Sequence, residues 1–443
     1  MKLNKFIFKH FAPIPSKQWK QKIQYELNGA NYQTELVNTN IDGISTLPFY
    51  TNSENIDLVD FNFSINTHKA VTINVTNSIK DNLKALEAIN EGANSIYFNI
   101  FSKEINLSEL LINIKFPLFI NCHFLNVSFT KEIKKIYQGN SLTILTDPIG
   151  KLLSTGNWYR NSIWDFEQLQ QIISINNDTL SINMCLYNNA GASQVQQLSY
   201  GISQVLAYSK HLLINTCKSI TYQVSVGTNI FIEVAKLKTL RILHNSLNKE
   251  LNTQLACTII LHKNKRNLQA INTSLNIDLT KTEQLIGYAA GVDIITSVPE
   301  DFFFLKEENN NPYNIELNSF LKTDLSSQAK LFKENIYVEK LVHQLLNKCT
   351  ELIYNIELGS GLIVQFKKGI LLQKIEQKAI AEQIEYKKQF EKFITNKSLI
   401  NKKPTSYPFF TFKNKKTRYK PILERRLAAP LEKPIWDSIF KHD

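Results

Sequence analysis

Eight short runs of strand-forming residues, each followed by a stretch with helical periodicity, limit what this chain can fold into. The runs fall at 70–75, 95–100, 117–122, 141–146, 180–186, 220–224, 256–261 and 292–297, and amphipathic helices fit most of the gaps, as at 79–91, 107–115 and 229–247. Strands that alternate with helices form a parallel sheet, because each right-handed crossover lays its helix on the sheet's face. Eight such units can close on themselves, which predicts an α/β fold of the (β/α)8 TIM-barrel type. An open doubly wound sheet is the competing arrangement, but neither a Gly-x-Gly-x-x-Gly fingerprint nor a phosphate-binding loop occurs in the sequence.

Three regions follow: an N-terminal arm at 1–60, the barrel with its C-terminal helices at 61–395, and a basic, proline-containing tail at 396–443. In the arm, Trp19, Ile23 and Leu27 recur at helical spacing and Gly29 follows as a stop. So short a segment cannot bury a core by itself, so it packs on its own barrel or reaches a neighbouring chain. In the tail, repeated prolines argue against a regular helix and for a wrapping segment.

The stretch L-S-I-N-M-C-L-Y-N-N-A-G-A-S, 180–193, carries the densest signal. Small or polar residues alternate with large apolar ones through Leu186, the period of a two-faced strand. Tyr187 and Asn188 are then expected at its C-terminal end, with Ala190-Gly191-Ala192 as a turn and Ser193 capping a helix from Gln194. Barrel enzymes keep their chemistry at that end of the strands. Asn77, His123, Asp147, His262, Ser297 and Asp301 are expected on the same rim. His123 and Asp147 could form an acid–base pair there if they come within hydrogen-bond reach. Each also has a plain structural reading, since Asn, Asp and Ser at loop starts bond their own backbone.

Five cysteines, Cys122, Cys185, Cys217, Cys257 and Cys349, stand without a Cys-x-x-Cys pair, which speaks against a disulfide framework or a zinc site and for a cytoplasmic location. No apolar run is long enough to span a membrane. The formal charge of +12 is concentrated in the tail, from Lys402 to Arg426, and no nucleic-acid-binding motif accompanies it. An acidic partner or a phosphate-bearing ligand suits such a tail as well as a nucleic acid does.

Several blocks, taken in order, resemble the methylmalonyl-CoA mutase family, especially its small, non-catalytic subunits. They are the arm's W-x-x-x-I-x-x-x-L-x-G, Asp147-Pro148 with Gly156, Tyr187-Asn188 before Ala-Gly-Ala, F-I-E-V-A-K-L-K-T-L-R at 231–241, T-E-Q-L-I-G-Y-A-A-G-V-D at 282–293, and Tyr337-Val338-Glu339. Read without the resemblance, 231–241 is an amphipathic helix with Phe231, Ala235 and Ile242 toward a core and Glu233 pairing with Lys236 along its surface. The departures fall on the chemistry. The family's Tyr-His keeps Tyr187 but has Asn188, the Arg-Gly-Pro-Tyr segment of catalytic chains has no counterpart, and no Asp-x-His-x-x-Gly occurs. The resemblance therefore implies a short-form small subunit without the cobalamin-binding domain, with Tyr187 and Asn188 as a degenerate site and no catalytic residues. It implies no cofactor and no metal on this chain, and adenosylcobalamin held by a large catalytic partner subunit in a heterodimer. That holoenzyme interconverts methylmalonyl-CoA and succinyl-CoA through radicals. No nucleic-acid or membrane partner is expected. The alternatives are an autonomous barrel enzyme acting on a CoA thioester through His123, Asp147 and His262, or an assembly partner of a cobalamin enzyme.

Overall fold

The computed structural model describes residues 14–50, 67–176, 179–269, 274–297, 315–332, 335–394 and 416–440. Asp301 and the aromatics at 409–412 lie outside them. Eight parallel strands form one sheet: β1 (His68–Val75), β2 (Ser95–Ile100), β3 (Leu118–Cys122), β4 (Leu142–Leu145), β5 (Thr179–Asn183), β6 (Ser219–Val224), β7 (Ala256–Leu261) and β8 (Ile294–Ser297). The order β4-β3-β2-β1-β8-β7-β6-β5 brings first and last strands together, as a (β/α)8 barrel requires. Between β4 and β5 no backbone ladder forms, and side chains close the seam instead. Asn176 bonds both backbone groups of Ile144, Ser181 bonds both of Thr146, and Asp147 accepts from the Asn183 N–H at 2.8 Å.

The core has two compartments. A small inner cluster, Ala70, Tyr97, Phe119, Leu145, Ile260 and Ile294, fills the barrel, and a far larger one lies between the strands and the surrounding helices. This division is the period-two pattern made physical, because alternate residues of each strand serve different compartments.

Helices used below are α1 (Ser16–Glu26), α2 (Ser78–Asn90), α3 (Pro148–Thr155), α4 (Cys185–Ala190), α5 (Gln194–Ser209), α6 (Ile230–Glu250), α7 (Ser274–Ala290), α8 (Ile336–Leu358), α9 (Ile370–Ile394) and α10 (Ala429–Phe440). Three expectations are corrected. The run at 180–186 ends as a strand at Asn183, where pairing with β6 stops, and the backbone turns into α4. The helix expected at 107–115 is one turn, Leu107–Leu110, because Asn113 adopts a left-handed φ of 62°. The tail does contain a helix, α10, in spite of its prolines. Pro430 falls in the first turn, where no N–H is needed. Pro434 forgoes one bond inside the helix.

Part of the arm is welded to its own barrel. Ile44 is 1% exposed in the main core, Asp42 pairs with Lys378 of α9, and Ser45 exchanges two backbone bonds with the Gln344 side chain of α8. By contrast, α1 buries no residue, and Ile14, Trp19 and Tyr25 remain exposed.

In the described part of the tail, residues 416–427 cross the C-terminal rim as an extended strap. Its N–H groups donate to Gly156 (from Tyr419), Leu153 (from Ile422), Asn189 (from Arg425) and Arg266 (from Leu427), so it ties loops after β4, β5 and β7. Gly156 permits this contact: its φ is +71°, and a Cβ there would stand 2.0 Å from the Tyr419 carbonyl oxygen. Gly156→Ala should therefore destabilise the chain by more than the roughly 1–2 kcal/mol of left-handed backbone strain alone. Gly29 (φ +93°, nothing near) supplies the strain-only control. Denaturant midpoints of Gly156→Ala and Gly29→Ala, with hydrogen exchange of the strap, make the comparison. Equal losses would mean the strap yields freely.

Candidate functional site

The sequence-derived rim residues separate into two environments. The first is the outer side of the rim, around α4. Asn183 Oδ1 accepts from the Cys185 N–H, which starts this short helix, and Gly191 ends it with a φ of +91°. Ser193 then caps α5 in a full capping box with Gln196, as its sequence position predicts.

Inside this arrangement Tyr187 is 0% and Asn188 6% exposed. The Tyr187 hydroxyl donates to Gln204 Oε1 at 2.8 Å, and the Gln204 amide donates to both oxygens of Asp147 at 2.7 and 2.8 Å. Asp147 also accepts from the Tyr208 hydroxyl at 2.6 Å and from the N–H of Gly150, so it caps α3 while closing the barrel seam. Burial raises the Asp147 carboxyl above the ordinary carboxylate range, although its hydrogen-bond donors pull the other way. Burial, followed by the Asp147 charge, pushes the Tyr187 hydroxyl well above its usual value. A hydroxyl so placed is a fixed donor within a closed network and is poorly suited to exchange protons with a ligand.

Asn188 accepts from Gln197 at 3.2 Å, and its own Nδ2 is buried without a partner among the described residues. It borders an enclosed space of about 50 Å³ shared with Gln197, Glu233, Asn264 and Arg266. Glu233 and Lys236 pair beside it, with side chains 1% and 3% exposed. This corrects their expected surface position: the pair is made, but α6 turns it inward under α5.

The second environment is the barrel mouth. His123 and Asp147 do not pair, since the bonds of Asp147 go to the network above. Instead His123 meets Asn99 and Asn121 at 3.4 Å each and stacks on Phe101, with ring centroids 4.2 Å apart. Asn121 donates to Asn99 and Asn99 to Asn74, both at 3.0 Å, making an amide ladder across three paired strands. Deeper in the barrel His262 bonds Thr296 at 3.0 Å and packs edge-on against Tyr97, whose hydroxyl reaches Gln223 at 2.9 Å. Burial, helped by Lys265, lowers His262 to about 3 and, with Lys151 as well, His123 to about 4. Both rings are neutral at neutral pH. Asn77 caps α2 and Ser297 is buried at the end of β8. Sequence reasoning missed the ladder, although Asn at the inward positions of three successive strands was a readable signal. Gln204 and Gln197 gave none, because polar residues on a helix ordinarily face solvent.

Comparison with known proteins agrees with this geometry. The sequence model of the methylmalonyl-CoA mutase family matches residues 143–426, from β4 through the strap. The chain belongs to this family. A methylmalonyl-CoA mutase small subunit from Porphyromonas gingivalis is 22% identical over 383 residues, covering 76% of this chain and 59% of that protein. The chain thus spans less than two thirds of its curated relative. Among solved structures, dihydropteroate synthase of Yersinia pestis overlaps 60% of this chain and 92% of its own, at 11% identity and a TM-score of 0.33. The Anaplasma phagocytophilum enzyme overlaps 60% and 98%, at 12% identity and a TM-score of 0.34. Overlaps that loose carry no functional argument.

Adenosylcobalamin is the group that this family implies. At the mutase Tyr-His position neither side chain is open to a bound group: both are buried, the tyrosine is committed to Gln204, and an amide stands in place of the imidazole. Among the described residues no group of three or more His, Cys, Asp or Glu could hold a metal ion, and no helix is long and apolar enough to cross a membrane.

Proposed function

We propose that this chain is a non-catalytic, small-type subunit that stabilises a larger catalytic methylmalonyl-CoA mutase chain. The observation that carries the reading is the closed Tyr187–Asn188 position, where the family's chemistry has become internal packing. In the proposed holoenzyme the large subunit holds adenosylcobalamin and isomerises methylmalonyl-CoA and succinyl-CoA. Here the cofactor supplies the radical chemistry, and this chain contributes surface. Support for a surface role comes from α1, an 11-residue helix with no buried residue and with Tyr25 84% exposed. A helix that short is marginal in isolation, so a covering partner would account for it. The autonomous-enzyme reading rests on His123 and His262, but Asp147 is spent on the barrel seam. That removes its base.

The test is reconstitution. The purified chain should show no isomerisation and retain no cobalamin by absorbance, and Asn188→His should change neither result. With the large subunit it should form a stoichiometric, salt-resistant complex. Deleting residues 1–29 should leave the thermal melt unchanged and weaken that complex. Turnover by the lone chain would establish an autonomous enzyme instead. A complex that forms only transiently would point to an assembly role.

A further inference from the structure

Outside the barrel, α9 and the strap enclose a cleft of about 630 Å³ that the mutase reading does not use. Leu372, Ile375, Ala379 and Ile380 of α9 form one wall, and strap residues including Leu423 form the other. Leu372 and Ile375 are buried, yet Ile380, one turn on, is 62% exposed. Most cations at the cleft already have partners. Arg266 pairs with Glu382 at 2.6 Å, Lys420 with Glu376 at 3.0 Å and Arg426 with Glu432 at 2.7 Å. Arg425 differs. Its backbone is fixed at both ends, by the Asn189 carbonyl and the Arg266 guanidinium, while its side chain is exposed and meets no described residue.

The trough is apolar along α9, its carboxylates Glu376 and Glu424 are engaged by Lys420 and Asn189, and at its edge stands a guanidinium that no described residue pairs, which matches a molecule with an apolar chain and a single planar anion. We infer that this cleft binds a free amphipathic monocarboxylate, its acyl chain lying along α9 at Ile380 and its carboxylate on Arg425. Guanidinium and carboxylate match geometrically, as two parallel N–H donors to two oxygens. The volume lies in the range of small-ligand sites, roughly 300–1,000 Å³. The lining is smaller than the roughly 20–30 residues that a stable protein face uses, which favours a small ligand over a docked chain. The strap's anchoring to three rim loops makes the cleft's second wall part of the folded barrel.

Isothermal titration of the full chain with sodium decanoate tests the site, with 1-decanol as the uncharged control. Decanoate should bind to one site. Arg425→Ala should weaken it about fivefold, the size of a solvent-exposed ion pair, without affecting decanol. Ile380→Glu should weaken both ligands more than tenfold, since it places a carboxylate on the wall of the chain's path. Both positions are exposed, so unchanged melting curves verify the fold. Absence of saturable binding overturns the inference, as does binding indifferent to both substitutions. Binding to phosphatidylglycerol vesicles, or to an acidic amphipathic peptide, with no binding of decanoate would also overturn it.

Discussion

Glu339→Ala is expected to lower the stability of the folded chain by about 3–5 kcal/mol, the usual consequence of removing one partner from a buried ion pair. Glu339 of α8 receives a hydrogen bond from Lys238 of α6 at 2.7 Å, and the two side chains are only 4% and 1% exposed. These two helices pack along much of their length. Deleting the carboxylate takes from a buried ammonium the charge it meets at 2.7 Å, and the energy of a buried charge far exceeds that of one lost methylene group. Replacing both residues with apolar ones, Lys238→Met with Glu339→Leu, should recover most of the loss, because neither charge then remains to be desolvated. Urea denaturation of wild type, both single variants and the double variant gives the coupling directly. A Glu339→Ala loss below about 1 kcal/mol would mean that water reaches the pair.

This pair shows which layer of information the sequence carried. The order Tyr337-Val338-Glu339 and the helix at 231–241 were legible as family blocks, yet periodicity gave the Glu233–Lys236 pair to the helix surface and said nothing of Lys238 and Glu339. Lys236 and Lys238 lie on helix faces that an isolated amphipathic helix would expose. Helix α8 packs across both α5 and α6, and pattern within one helix does not register a cover supplied a hundred residues away. The eight strands were legible because each alternates for its own local reason, and every run was found to within a few residues. Asp147 marks the opposite limit. Its place before a proline suits a loop, a helix cap or a base equally well. Only closure of the barrel, which sets β4 beside β5 without a ladder, makes it the seam's acceptor. Tyr187 and Asn188 were expected on an open rim because the alternation runs on through Leu186. The turn into α4 two residues earlier draws them inside.

Acidification should destabilise the chain, with His262 as a principal cause. Its ring lies in the barrel against Tyr97, Nδ1 is bonded to Thr296, and Nε2 is buried without a partner among the described residues. Burial, then the Lys265 charge, holds it at about 3 in the folded chain, against the ordinary 6.5 of an unfolded one. The sign follows from proton counts. Below about pH 6.5 the unfolded chain binds a proton that the folded chain refuses, so stability is fully present above that pH and falls as pH drops toward 3. Each pH unit in that window removes up to about 1.4 kcal/mol per such histidine, so His262 alone accounts for about 2 kcal/mol at pH 5. His123, lowered to about 4, and His244, lowered by burial against the pull of its bond to the Leu255 carbonyl, act in the same direction. Asp147 opposes them, because a carboxyl raised by burial takes up its proton more readily in the folded chain. His262→Gln should therefore flatten the stability profile between about pH 7 and pH 5, by about 2 kcal/mol at the acidic end. Denaturant midpoints of wild type and variant at both pH values measure the difference. Parallel profiles would show that the ring becomes protonated in place, and that the barrel interior is open to water at its mouth.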